Sequence, residues 1–299
     1  MMKNKKFACF ILSHGRADNV KTYDTLKRQG YTGPIFIVVD DEDKEIPQYK
    51  EKYGKEVVIF SKEEAAKITD PMDNFHDRRT PLFARNALFG IAKEKGIDYF
   101  LELDDDYSEI HFKFDKELRW AKPTRKPKNF DVIFDIIIDF LRTTPTTVIA
   151  LAQGGDFIGG PGGFFGKKIF LRRKTMNAFF CMTERPFFFY GTMNDDVNGY
   201  LRNGNIGMLH FTNNMLCVQQ GATQQNKGGI TELYLDRGTY HKSFYSIMMH
   251  PSAVKISTLG PSDPRIHHKI YWRFAVPKIV EEKWKKSKNR KELYPIKTK

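Results

Sequence analysis

Four short runs in the first third of the chain are apolar on consecutive residues rather than on alternate ones: Phe7–Leu12, 35–39, Val57–Phe60 and 99–103. A strand of that kind must be covered on both faces, which is the condition of a parallel sheet sandwiched between helices. The segments between the runs have the matching helical spacing. Val20, Tyr23 and Leu26 recur at helical intervals up to Gly30. A short helix is expected around Ile46–Tyr53. Thr80 and Pro81 form a good helix start, because Thr caps orphan amides and Pro at the first helical position loses no hydrogen bond. Leu82, Phe83, Leu88, Phe89 and Ile91 follow, and Gly96 is the stop. The chain is therefore read as α/β, with a mixed, largely parallel sheet flanked by helices.

Ligands of such sheets bind beyond the carboxyl ends of the strands. The first run ends in Ser13-His14-Gly15-Arg16, the second in Asp40-Asp41-Glu42-Asp43 and the fourth in Asp104-Asp105-Asp106, so these segments converge on one rim. Packed acids repel one another, and a hard divalent cation relieves that repulsion. Asp104 and Asp106 would point to the same side if extended geometry persisted past the strand. A simple acidic turn is the competing reading.

The second half is less regular. A helix is expected over 130–141, with Asp131, Asp135 and Asp139 as a solvated stripe. Strands are expected at 147–152, 178–182 and 208–216. The glycines at 154, 155, 159, 160, 162 and 163 call for a tight turn or close approach to a ligand. The polar stretch 219–229 reads as a mobile loop. Phe164, Phe165, Phe179, Phe180 and Phe187, Phe188, Phe189 are expected to be mostly core, with some able to stack a base. Asn194-Asp195-Asp196 reads as an acidic helix start, favoured by the helix dipole.

Charge is unevenly distributed along the 299 residues, whose net charge is +13. Seven basic residues stand against two acidic ones between Lys113 and Lys128, a second cluster comprises Lys167, Lys168, Arg172, Arg173 and Lys174, and the last 31 residues hold eleven Lys and Arg against three Glu. Stripes of this kind attract polyanions, although Lys-rich surfaces also serve solubility alone. With 40% hydrophobic, 28% charged and 14% aromatic residues, a disordered or fibrous chain is excluded. No apolar run is long enough to cross a bilayer, so no membrane partner and a cytoplasmic location are expected. Cys9, Cys181 and Cys217, with no CxxC pair, read as reduced thiols. No phosphate-loop, HExxH or dinucleotide fingerprint is present.

The order of apolar strand, Gly-Arg turn, strand ending in Asp, helix carrying Arg85-Asn86 and strand ending in Asp-x-Asp resembles the nucleotide-sugar glycosyltransferases of the GT-A (Rossmann-like) fold. More narrowly, FACFILSHGRADNV, FLELDDDY, NDDVNGY and RIHHKIYW are similar to the TET-associated glycosyltransferases encoded by phages. That resemblance implies transfer of a sugar, with UDP-sugar as the implied donor, to a hydroxymethylated pyrimidine in DNA. It implies that Ser13, Arg16, Asp40, Asp41, Arg85, Asp104 and Asp105 bind the donor and that Asp104, Asp106 and His268 hold Mn²⁺ or Mg²⁺. His267 competes with His268, while His241 and His250 stay possible. It implies Asp195 or Asp196 as the base that takes the acceptor's proton. Residues 1–265 would form the glycosyltransferase domain and 266–299 a basic extension. A polysaccharide, lipid or protein acceptor, or a noncatalytic nucleic-acid-binding module, remain alternatives, and sugar, stereochemistry and oligomeric state stay open.

Overall fold

The computed structural model describes residues 6–157, 159–163, 174–221, 230–259, 264–281 and 283. The first half follows the expected order: β1 (Phe7–Leu12), α1 (Lys21–Arg28), β2 (Ile35–Asp40), α2 (Ile46–Tyr53), β3 (Val57–Phe60), α3 (Lys62–Lys67), α4 (Leu82–Glu94) and β4 (Tyr99–Asp104). Their four strands lie parallel in the order β3-β2-β1-β4. The reason for double-sided apolarity is visible in β1. Phe7, Cys9 and Ile11 pack with Leu26, Tyr49 and Phe134, whereas Ala8, Phe10 and Leu12 pack with Leu82 and Leu88 of α4. Cys9, Cys181 and Cys217 are buried and form no disulfide.

The chain then adds β5 (Glu109–Phe114), β6 (Trp120–Arg125), α5 (Phe130–Thr143), β7 (Thr146–Gln153), β8 (Phe179–Met182), α6 (Asp195–Asn205) and β9 (Leu209–Gln219). The sheet described has nine strands in the order β3-β2-β1-β4-β8-β7-β9-β5-β6. β8 runs antiparallel to both β4 and β7, and β5 runs antiparallel to β9 and β6. The sheet is thus mixed, with seven of the nine strands sharing one direction. A separate two-stranded ribbon, β10 (Val254–Leu259) with β11 (Arg265–Ile270), is preceded by α7 (Ile230–Met249), kinked at Gly238, and followed by α8 (Trp272–Ala275). β11 runs across position 265/266, where the basic extension is expected to begin.

In α5, Phe130, Phe134, Ile137, Ile138 and Leu141 face the core, Asp131 accepts from Thr32 and Asp139 meets Arg142. The glycine-rich stretch forms two 3-10 turns, Gly154–Phe157 and Gly160–Gly162. Phe179, Phe180, Phe187 and Phe189 are core, while Phe188 is partly exposed. Phe164, Phe165, most of the second basic cluster, most of the 219–229 loop and nearly all of the basic tail lie outside the described residues. Among the described residues no helix is long and apolar enough to cross a membrane.

Candidate active site

The turn after β1 is built as a frame rather than as an open loop. Ser13 donates its hydroxyl to Asp105 Oδ2 at 2.6 Å and shares a 2.7 Å hydrogen bond with the Tyr49 hydroxyl, which in turn accepts the Arg16 amide at 2.9 Å. Arg16 Nη1 closes the frame on Asp105 Oδ1 at 2.8 Å. Asp105 therefore points into the protein, held by Ser13 and Arg16, and ties the end of β4 to the turn after β1. At the end of β2, Asp40 takes His14 Nδ1 at 2.7 Å and Lys62 Nζ at 3.3 Å, and Asp43 takes the Gly15 amide at 2.8 Å. Burial works against the Asp40 charge, but the His14 hydrogen bond and Lys62 outweigh it and hold the carboxyl below its ordinary value. The same hydrogen bond raises His14. Asp41 is exposed and caps α3 by accepting the Lys62 amide at 2.9 Å.

The two-residue period of β4 puts Phe100, Glu102 and Asp104 on the face covered by α4. Arg85 of α4 meets them there. Its guanidinium reaches Glu102 Oε1 at 3.3 Å, Asp104 Oδ1 at 3.3 Å and Asp195 Oδ2 at 3.1 Å, and lies 5.2 Å from the ring centres of both Phe179 and Phe189. One buried cation thus gathers three carboxylates from two separate elements. Burial, reinforced by Asp104 and Asp195 and opposed by Arg85, pushes Glu102 up to about 8. Burial likewise raises Asp195, with Asp196 and Asp104 adding to it against Arg85. Asp104 also accepts the Tyr107 hydroxyl at 3.1 Å. Extended geometry stops at Asp104, and Asp105 and Asp106 form a turn. Burial and the charges of Asp104 and Asp105 push Asp106 up to about 6.

The start of α6 is set by Asn194, which holds a left-handed backbone (φ 53°) and donates its side-chain amide to the Lys242 carbonyl at 2.9 Å and to Ser246 Oγ at 3.1 Å. Asp195 and Asp196 then open the helix, where the dipole favours negative charge. They face different surroundings. Asp195 makes the ion-pair contact with Arg85, whereas Asp196 is only half-buried and receives the Val197 amide at 2.7 Å; burial raises its carboxyl against Arg85, that amide and the more distant Lys174 and Lys242. His268 in β11 lies under those same two lysines. It is buried, its Nε2 has no hydrogen-bond partner, and burial with Lys174, His267 and Lys242 pushes it down to about 3. The His267 ring lies 4.3 Å from that of His268. His241 packs on Phe75, and burial with the Arg202 charge pushes His250 down to about 4.

Among the described residues no three His, Cys, Asp or Glu side chains form a group able to hold a metal by themselves. Asp104 and Asp106 still offer hard oxygen donors at the rim, where burial and the mutual repulsion of Asp104, Asp105 and Asp106 raise the Asp106 carboxyl and a divalent cation would favour its ionised form. The orphaned His268 Nε2 is a nitrogen donor of the kind such an ion accepts. Asp104 and Asp106 thus suit a cation as paired oxygen donors, whereas Asp104, Asp106 and His268 do not come together as one ligand group.

Glu102 and Lys62 contact the candidate residues although their positions in the sequence did not single them out, and His14, placed on the rim by the sequence without a role, pairs with Asp40. Glu102 carried a signal, a lone acid inside a run whose neighbours Leu101 and Leu103 are both core. Arg85 carried the same kind of signal, three residues after Leu82 and three before Leu88 on the packed side of α4.

A family model described as TET-associated glycosyltransferase matches residues 7–229. No curated protein matches the chain. Among solved structures, glucosyl-3-phosphoglycerate synthase from Mycobacterium tuberculosis in complex with Mg²⁺ and uridine diphosphate is similar, with 9% identity, 90% of this chain and 89% of that chain covered, and a TM-score of 0.47. The same enzyme with Mn²⁺ and uridine-diphosphate-glucose gives 9% identity, coverage of 90% and 88%, and a TM-score of 0.46. TarS from S. aureus gives 12% identity over 71% of this chain and 36% of its own, with a TM-score of 0.41.

Proposed function

Because the chain belongs to the TET-associated glycosyltransferase family, we propose that this glycosyltransferase moves a sugar from a nucleotide-sugar donor, taken to be a UDP-sugar, to the hydroxymethyl group of a modified pyrimidine in DNA. The observation that carries the reading is the Arg85 cluster, which joins the donor-side acids at the end of β4 to the acceptor-side acids at the start of α6. His14, Asp40 and Arg16 border the nucleoside end, and Asp104 and Asp106 would hold Mn²⁺ or Mg²⁺. When bound, that ion neutralises the charge developing on the departing nucleoside diphosphate. Asp196, half-buried and not committed to Arg85, takes the acceptor's hydroxyl proton as the new C–O bond forms and the bond to the diphosphate oxygen breaks. Asp195 is the positioning residue, fixed by Arg85 so that its neighbour meets the acceptor.

The test is incubation of the protein with Mn²⁺, a panel of nucleotide sugars and DNA carrying hydroxymethylated pyrimidines, followed by mass analysis of the nucleosides. A hexose added to the modified pyrimidine is the expected product. Transfer to a polysaccharide or protein, with none to DNA, would overturn the acceptor. DNA binding without any donor hydrolysis would make the chain a binding module instead.

A further inference from the structure

Along the edge of the sheet, where β5 runs back from the acidic rim, lies a groove that none of these roles uses. β5 leaves the Asp104–Asp106 turn almost at once, returns as β6, and the hairpin closes against the first turn of α5 around about 570 Å³. Phe112, Phe114 and Met215 make its floor, with Val132 and Ile133 as one wall. Phe114 is fixed edge-on against Trp120 and Phe157, while Phe112 is only half-buried. Lys116, Arg125, Lys126 and Lys128 form the rim. The acids nearby are already engaged: Asp115 accepts the Arg119 amide at 2.9 Å and guanidinium at 3.0 Å, Glu117 meets Arg119 at 3.0 Å and Lys116 at 3.4 Å, and Glu109 meets Lys126 at 2.5 Å. The side chains of Lys116 and Lys126 remain 87% and 63% exposed, so those pairs exchange readily for other anions.

An apolar floor alone would suit a peptide or a second copy of the chain. A cationic rim around an aromatic floor suits instead a polyanion whose repeating units carry flat apolar faces. We propose that this groove holds an unpaired stretch of DNA flanking the acceptor nucleotide, with phosphates on Lys116, Arg125, Lys126 and Lys128 and one base over Phe112. The inference rests on the DNA reading given above and extends it. An enzyme acting on a base must take that base out of the duplex, and a groove that keeps the neighbouring strand open lowers the cost of doing so.

The experiment measures binding rather than transfer, using the full chain, a short oligothymidylate and a matched duplex across a salt series. The native protein is expected to prefer the single strand. The quadruple variant K116A/R125A/K126A/K128A should bind it at least about tenfold more weakly at low salt, and the log-log salt slope should fall by about 0.7 for each phosphate that is no longer neutralised. Phe112→Ala should weaken single-strand binding by about tenfold and leave the slope alone. Melting temperatures of both variants serve as the folding control. Unchanged affinity and slope in a folded quadruple variant, while the native protein still glycosylates DNA, would overturn the groove and leave the proposed function standing. A native preference for duplex, or a concentration-dependent dimer that disappears in the Phe112 variant with DNA affinity unchanged, would also overturn it. Absence of any DNA binding or transfer by the native protein would remove both.

Discussion

Asp195 and Asp196 are adjacent in sequence yet differ in what they touch, and that difference separates their variants. Asp196→Asn is expected to lower kcat by about a hundredfold or more with the fold intact, the scale of losing a general base. Asp195→Asn removes one of the three carboxylates around Arg85 and should lower both kcat and the urea midpoint. Equal, purely kinetic losses in the two variants would contradict the division of roles. A second residue-scale expectation concerns His14, whose folded pKa is raised by its hydrogen bond to Asp40. A histidine raised on folding stabilises fully below its unfolded pKa of about 6.5, and that contribution fades as pH climbs through the folded value. His14→Gln should therefore be less stable than the native protein at pH 5 and indistinguishable well above neutrality, as read by thermal melting. An offset constant from pH 5 to 9 would mean that the imidazolium is not involved. Residues of this kind were only partly legible in the sequence. Asp104, Asp106 and Asp196 stand out as acids where a strand ends or a helix begins, but no local pattern tells that Asp105 turns inward to Ser13 and Arg16, because its partners lie about ninety positions away.

At the scale of elements, the segment 187–194 links the sheet to α6 and is held from three sides. Asn86 of α4 pairs with both the amide and the carbonyl of Phe189, at 2.8 Å and 3.1 Å, in the manner of a ladder rung. Gly191 follows with a left-handed backbone (φ 86°), and a Cβ there would stand 2.5 Å from Asn198 Nδ2 and 2.9 Å from the Tyr245 ring. Gly191→Ala is expected to cost about 1–3 kcal/mol, seen as a lower urea midpoint, and to reduce turnover by displacing the start of α6. An unshifted midpoint would show that the segment yields without strain. The early strands and helices match their sequence patterns closely, since apolar runs on two-face strands leave little choice. The β5–β6 hairpin was not legible, because basic residues alternate with its aromatics and read as a charge cluster. α7 was hidden by the kink at Gly238 and a polar start, and β10 with β11 by the small number of buried apolar side chains, Val254 and Ile270, on the ribbon's packed face.

For the molecule as a whole, Glu102, Asp104 and Asp195 do not depend on a metal to be held together, because Arg85 is built into the core between them. EDTA should thus abolish sugar transfer while leaving the melting temperature of the donor-free protein unchanged. Full activity in EDTA would remove the ion from the reaction, and a large fall in melting temperature would give it a structural part. The sheet order has one further effect, on how the chain comes together as it is made. β8 sits between β4 and β7 but is contributed by residues 179–182, some 75 positions after β4 ends. Until the ribosome has released that stretch, β4 is an outer strand whose amides and carbonyls face water beside apolar side chains, an invitation to pair with another nascent chain. The strand that covers β4 also brings the Phe179 ring against the Arg85 guanidinium. The covering of β4 and the burial of Arg85 are therefore coupled, and a chain cut before Phe179 should precipitate rather than survive as a stable half-enzyme.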